Sequence, residues 1–290
     1  MKIADAPIKA IAPWFGGKRS MAPLIVKQLG PHRSYWGLCC GSLAVEMAKP
    51  PATMETCIDL HGDLTNLCYV LQDTQKAPQL YGRLARMVLS RELFLDSAKL
   101  IRTQKPPVGE DEPCEDRAFH YMVVSWFGRN GVAGTSNYNA GFCARYKHNG
   151  GHAAKRFVSA VESIPGWHQR LRNLTVMRDD IFTHLPRIAD QIGTAIYCDP
   201  PYIEKGAKYL HDFDGLHHHT LARELRRFEK ARVVVSYYDH PEVNRFYAGW
   251  TKLDCSRTKA MANQGQRQRG AVKAPEVLLI NGPAYESGSA

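Results

Sequence analysis

The feature that most constrains this chain is a short apolar run that stops abruptly in a carboxylate and two prolines: Ala195-Ile196-Tyr197-Cys198-Asp199-Pro200-Pro201-Tyr202. The apolar part reads as a buried strand. Neither proline can donate a ladder hydrogen bond, and each fixes its own φ, so the strand ends at Asp199. The acid is therefore held at the carboxyl end of a strand, beside a stiff turn, with an aromatic ring just beyond. In an open α/β sheet that edge is where ligands bind.

The rest of the chain supplies the elements of such a sheet. Residues 21–29 have helical spacing and are stopped by Gly30-Pro31. Residues 35–42 read as a strand running into a small-residue turn, 43–48 as a helix, and 53–58 as a second strand closed by Asp59. A helix follows towards Gln72, with Asp63 or Thr65 as candidate cap. The middle, 73–167, breaks this alternation: 80–103 reads as helical and basic, 105–116 as a surface loop, and 117–127 as an aromatic-rich helix. Alternation resumes with a strand at 174–177, a helix at 181–192 interrupted by Pro186, the central strand, and a helix at 221–230 with Thr220 as candidate cap. Strands at 232–236, 253–256 and 276–281 and a short helix at 241–246 complete the set, and 257–274 is a polar, basic excursion.

Length and charge narrow the class. The 290 residues suit one large domain, or one domain with a sizeable insertion, and 44% are hydrophobic, enough for a core. No apolar run is long enough to span a bilayer, and the first ten residues lack the apolar stretch of a signal peptide, so the expectation is a soluble, cytoplasmic protein. Eight cysteines without a Cys-x-x-Cys pair read as reduced, mostly buried thiols and give no basis for a structural zinc site. A formal net charge of +10 favours a polyanionic partner such as nucleic acid.

Three constellations carry chemistry. In the strand–turn–helix–strand–acid unit, Gly41 would let a ligand approach the backbone and Asp59 would accept hydrogen bonds from ribose hydroxyls of an adenosine-bearing cofactor. The plainer alternative is an ordinary βαβ unit with Asp59 capping a helix. In Trp14-Phe15-Gly16-Gly17-Lys18 the glycines permit an unusual backbone path, Trp14 can cover an apolar or cationic group, and Lys18 can pair with a carboxylate or phosphate. The glycine-to-lysine spacing is not that of a P-loop, and a tight turn with a surface lysine is the alternative. In the central motif, Asp199 and the Pro200 carbonyl offer two acceptors to an exocyclic amine, and Tyr202 offers a face for stacking on a purine or pyrimidine. The run His217-His218-His219 makes a poor metal site because adjacent side chains diverge, and without a Gly-x-Ser-x-Gly elbow hydrolysis has no anchor.

These residues together resemble the D12 family of N6-adenine-specific DNA methyltransferases, the DNA adenine methylases. The resemblance runs from about Pro13 to Asn281. It rests on Trp14-Phe15-Gly16-Gly17-Lys18, the turn at Gly41, the segments 59–66, 128–131 and 137–142, Asp180, Asp199-Pro200-Pro201-Tyr202, and the closing strand at 276–281. It implies a Rossmann-like α/β methyltransferase sheet with an inserted, mostly helical DNA-recognition domain: 1–72 and 168–290 catalytic, 73–167 for target recognition. It implies S-adenosylmethionine as donor, contacted by Trp14, Lys18, Gly41, Asp59, Asp180 and Asp199, and no metal. Asp199, Pro200 and Tyr202 would be catalytic, methylating the N6 amino group of a flipped-out adenine. The DNA-facing residues would be Arg129, Asn130, Asn137, Asn139, Arg145 and Lys147, on double-stranded DNA. The expected state is a monomer or weak dimer, associated with the nucleoid of a bacterial or phage-infected cell, with restriction-modification, prophage and housekeeping roles all left open. One departure stands out. Where the family's first motif usually has an acid, a proline, a phenylalanine and two glycines, this chain has Gly37, Leu38, Cys39, Gly41 and Leu43. Methylation of cytosine N4, of RNA or of a protein glutamine, and a catalytically silent DNA-binding protein, are the rival readings.

Overall fold

The structure is a computed structural model that describes residues 8–106, 112–128, 141–142, 153–203, 210–211, 213–258 and 273–285. Among the described residues nine strands occur in chain order: β1 (Ser34–Leu38), β2 (Met54–Ile58), β3 (Thr175–Met177), β4 (Thr194–Cys198), β5 (Arg232–Tyr238), β6 (Thr251–Asp254), β7 (Arg257–Thr258), β8 (Lys273–Ala274) and β9 (Glu276–Ile280). Seven form one sheet in the order β3-β2-β1-β4-β5-β9-β6, and β7 and β8 pair separately. The first five in that order run parallel, and β9 runs antiparallel to both of its neighbours. From β1 the chain steps outward through β2 to β3, then returns to place β4 on the other side of β1. The order therefore reverses between β1 and β4, and a crevice opens where the two strands end.

Alternation along the strands divides the core into two layers. Tyr35, Cys57, Ala195, Tyr197, Val234, Leu278 and Ile280 face one way. Leu38, Ile58, Ile196, Cys198, Val233, Val235, Val277 and Leu279 face the other. The second face is covered by α8 (Ile181–His184), α9 (Gly215–Leu225) and α10 (Pro241–Phe246), through Ile181, Leu221, Leu225 and Val243. The first is covered by α1 (Ala22–Leu29) and α2 (Ala44–Ala48), then α3 (Gly62–Gln72) and the helices of the middle stretch: α4 (Lys76–Arg86), α5 (Arg91–Thr103), α6 (Glu115–Phe127) and α7 (Ala153–Leu171). Leu80, Phe94, Ile101, Trp126, Phe157 and Trp167 from that stretch belong to the same hydrophobic cluster as Tyr35 and Tyr197 of the sheet.

Several local expectations change. The helix expected at 80–103 is two helices, because Ser90 adopts extended backbone and its hydroxyl accepts the Leu93 N–H to start α5. Asp63 does not cap α3; His61 does, accepting the Leu64 N–H on Nδ1. Asp63 instead receives the Arg117 guanidinium at 2.6 and 3.2 Å, both side chains 4% exposed. Asp214, not Thr220, caps α9, six residues earlier than expected, through a capping box with His217. The helix expected at 181–192 stops at His184 and passes into a 3₁₀ turn containing Pro186. Helix α7 had no counterpart in the sequence reading, although Phe157, Ala160, Val161, Ile164 and Leu171 carry helical spacing. It is tied to the sheet by Arg170, which donates to both oxygens of buried Glu55 at 2.7 and 2.9 Å; Lys49 pairs with the same acid.

Candidate active site

The ends of β1 and β4 meet at Asp199. Its backbone N–H donates to the Leu38 carbonyl at 3.1 Å, extending the β1–β4 ladder by one residue before the prolines end it. The carboxylate is thereby aimed into the crevice, and 18% of the side chain is exposed. The first constellation reaches the same point from the N-terminus. The Gly17 N–H donates to the Trp14 carbonyl at 3.1 Å, and Gly16 takes φ +72°, a conformation that costs other residues about 1–2 kcal/mol. This turn sends Lys18 inward. Its ammonium donates to the Gly16 carbonyl at 2.7 Å and pairs with Asp199 at 2.9 Å and Glu276 at 3.1 Å.

Asp199 is held neither fully acidic nor free. Burial raises its pKa from 3.8 to about 6; Lys18 pulls it down, Glu276 pushes it up, and the Tyr202 hydroxyl pulls it down. Tyr202 is itself buried, 6% exposed. Its hydroxyl donates to Glu276 at 2.7 Å, its ring lies 4.6 Å from that of Tyr238, and the Lys18 ammonium stands 5.0 Å from its centre. Burial also keeps its phenol well above the ordinary range, so it is a neutral hydroxyl. Pro200 is buried as well.

An open cleft, about 790 Å³ counting the solvent at its mouth, adjoins Asp199. Its walls include Trp14, Cys39, Asp59, Leu60, His61, Asp180, Phe182, Asp199, Phe213 and His217. Lys18, Gly41, Pro200 and Tyr202 stand behind the walls rather than in them. Asp59 braces two turns, accepting the Gly41 N–H on Oδ2 at 2.8 Å and the His61 N–H on Oδ1 at 2.9 Å. A carboxylate has about four lone-pair sites, so this leaves acceptor capacity for hydroxyls in the cleft. Asp180 caps α8 by accepting the Phe182 N–H at 2.9 Å.

Gly41 has a different part from the one its position suggests. Its φ is +49°, and a Cβ there would lie 2.6 Å from Trp14 Nε1. The glycine thus admits the Trp14 indole, which forms the wall above it. The same turn puts two larger residues in the left-handed region, Cys39 and Leu43, each at φ 57°. Leu43 stands where the resemblance expects a second glycine, in a backbone shape that glycine would adopt at no steric cost. It is anchored there by burial, 1% exposed. At Gly37, where the resemblance expects an acid, Glu46 Oε1 lies 2.6 Å from where a Cβ would be, so a side chain fits only if the Glu46 carboxylate moves. Glu46 bonds the Tyr35 hydroxyl at 2.6 Å and gathers with Cys40 and Cys57 behind the turn, their ligand-type atoms within 4.8 Å of one another.

The structure gathers Trp14, Lys18, Gly41, Asp59, Asp180 and Asp199 round this one place, along with residues that the sequence does not single out. Glu276 looked like ordinary strand, and Leu60, Phe182, Phe213 and His217 are set round the cleft by helix starts that no spacing rule aligns. Cys39 is neutral, its thiol held well above the usual value by contact with Cys198 and by burial, which argues against a thiolate nucleophile. The three adjacent histidines diverge as expected: His217 joins the α9 cap, His218 meets the Tyr237 hydroxyl at 2.8 Å, and His219 lies edge-on to Phe246. Arg129, Asn130, Asn137, Asn139, Arg145 and Lys147 lie outside the described residues. Among described residues no helix is long and apolar enough to cross a membrane.

Over residues 14–261 the chain matches the family model for D12 class N6 adenine-specific DNA methyltransferase. No curated protein matches the chain.

Proposed function

Since the chain belongs to the D12 class of N6 adenine-specific DNA methyltransferases, we propose that its cleft holds the methyl donor beside Asp199 and that Asp199 orients the adenine amino group for transfer. S-adenosylmethionine, the donor the family implies, supplies a methyl group on a positively charged sulfur. The residues present fit such a molecule. Trp14, Leu60 and Phe182 offer flat or apolar surface for an adenine ring, and Asp59 keeps acceptor capacity for ribose hydroxyls. Asp180 stands at the same wall, where the resemblance sets the donor's adenine.

The single observation that carries the reading is Asp199: an acid at the sheet's switch point, lining the cleft, with one oxygen on Lys18. An amine is a weak nucleophile while its lone pair delocalises into the purine ring. Acceptance of its N–H groups by Asp199 and the Pro200 carbonyl favours charge on nitrogen as the new bond forms. The amine's lone pair makes the N–C bond, the S–C pair stays on sulfur, and the extra amine proton passes to Asp199 or water. Fixed placement of the two reactants supplies much of the rate. Reaching the amine in duplex DNA requires extruding the adenine. Tyr202 enters through its hydroxyl rather than an open ring face, since its ring is covered in this arrangement. The 73–167 stretch, with exposed Lys155 and Arg156 at the start of α7, is assigned to the phosphate backbone.

The test is transfer of labelled methyl from S-adenosylmethionine to DNA, followed by nucleoside analysis. N6-methyladenine is expected, and Asp199→Ala should lose at least about 100-fold in turnover. Label appearing on cytosine, or near-normal turnover by that variant, would contradict the assignment.

A further inference from the structure

Glu276 lies on β9, 77 positions beyond Asp199 and antiparallel to β5, yet it is built into the same cluster. One of its oxygens, Oε1, receives both the Tyr202 hydroxyl, at 2.7 Å, and the Lys18 ammonium, at 3.1 Å. Lys18 reaches from that oxygen to Asp199 Oδ2 at 2.9 Å, so one ammonium bridges two acids. The Lys18 and Glu276 side chains are only 6% and 14% exposed, so water does little to screen the bridge. An acid here is costly if its only purpose is to finish a strand, because a buried carboxylate needs partners to stay charged. Its partners are the two side chains that flank Asp199.

We propose that Glu276 is a positioning residue for methyl transfer: it divides the Lys18 charge between two acids and fixes Tyr202, leaving Asp199 a stronger hydrogen-bond acceptor than in a private Lys18–Asp199 pair. This rests on the reading of Asp199 as the amine-orienting group. Among the described residues the charged groups that face Asp199 are Lys18 from the N-terminal turn and Glu276 from β9, with Asp59 at the end of β2 across the Cys39 thiol. Among the described residues the other titratable neighbours are neutral: the Cys39 thiol, raised by contact with Cys198 and by burial, and the phenols Tyr197 on β4, Tyr202 after it and Tyr238 on β5, raised by burial. Removing the Glu276 charge therefore has one direction. Lys18 then serves Asp199 alone, the ionised carboxylate is favoured, and its pKa falls.

The isosteric variant Glu276→Gln tests this, with a melting curve to verify that it folds. NMR of protein labelled with ¹³C at the aspartate carboxyl needs no turnover, and the Asp199 signal is identified by its loss in Asp199→Asn. Its midpoint should fall by about one pH unit in Glu276→Gln. The acid limb of kcat should move to lower pH by the same amount, with kcat down about tenfold and the KM for S-adenosylmethionine changed by less than about threefold. Tyr202→Phe removes a hydroxyl that lowers the Asp199 pKa, so it should lower kcat and move the limb the opposite way, to higher pH. An unmoved Asp199 midpoint in Glu276→Gln overturns the inference, whether or not the protein methylates adenine. So does a loss confined to donor KM. A shifted midpoint in a protein whose wild type transfers no methyl group would leave Glu276 as inferred and overturn the functional reading instead.

Discussion

Replacing Gly41 by alanine adds one carbon and tests how the cleft wall is built. Two costs follow from the structure. Alanine at φ +49° enters the left-handed region, which costs about 1–2 kcal/mol. Its Cβ would also stand 2.6, 2.9 and 3.1 Å from three atoms of the Trp14 indole, against a comfortable separation of about 3.5–4.0 Å. The obstacle is a rigid ring, not a flexible tip. The indole meets His61 edge-on at 5.4 Å, and its backbone carbonyl is pinned by the Gly17 N–H. The ring must retreat by about 1 Å, a displacement that can cost about 100-fold where reacting groups are held in register. The expected result is S-adenosylmethionine affinity down by about 10- to 100-fold, equivalent to about 1.4–2.8 kcal/mol. The melting temperature should fall by a few degrees, at about 2–4 °C per kcal/mol for a chain near this size. Titration calorimetry on Gly41→Ala, Trp14→Ala and the double variant separates the causes. If the damage passes through the indole, the double variant binds no worse than Trp14→Ala alone. Losses that add within about 0.5 kcal/mol would refute the coupling, as would an alanine variant that binds like wild type.

Three further outcomes are expected. Between pH 3.8 and about 6 folded Asp199 holds its proton more tightly than the unfolded chain does, so stability from this group falls as pH rises through that window and stays lost above it. Asp199→Asn should therefore melt no lower than wild type in a scanning calorimeter at about pH 8, although it should lose methyl transfer; a clearly lower melting point would count against a raised pKa. Arg117 donates to both Asp63 oxygens and to the carbonyls of Leu100, Ile101 and Gln104 at the end of α5. Arg117→Ala strands a buried acid and should cost about 3–5 kcal/mol in urea unfolding, so a loss below about 1 kcal/mol would show that Asp63 finds another partner. If Lys155 and Arg156, both exposed, neutralise phosphates, their joint change to alanine should weaken all DNA sequences alike and flatten the salt dependence by up to about two units; a change in site preference instead would point to base contacts.

The sheet was largely legible because burial leaves a simple mark on sequence. All five residues of β4 are buried, and the Asp199-Pro200-Pro201 stop is local chemistry. Helix starts were less legible. Asp63 has the residue type of a cap, but the neighbouring His61 accepts the helix N–H, and Asp63 is taken by an arginine 54 positions away. The single helix expected at 80–103 failed at Ser90 for the opposite reason, a local cap overriding a continuous pattern. At the turn after β1 the sequence showed a departure from the family without showing its form. Leu43 takes a left-handed backbone where the resemblance expects a glycine, and the Glu46 carboxylate fills the space where a side chain at position 37 would lie.

By itself, the sequence determined the alternation that makes a parallel sheet, the strand end that presents Asp199, and the residue types from which a donor cleft can be made. These depend on neighbours a few positions apart, through backbone geometry and side-chain period. Tertiary structure alone decided which distant groups share charge. It placed Lys18 and Glu276 within 3.1 Å of each other and Lys18 within 2.9 Å of Asp199. It laid Trp14 on Gly41, and it covered the Tyr202 ring that the sequence would have left open. The physical reason is that burial and Coulomb interaction depend on distance in space, which the order of residues along the chain leaves undetermined until the sheet has brought its strand ends together.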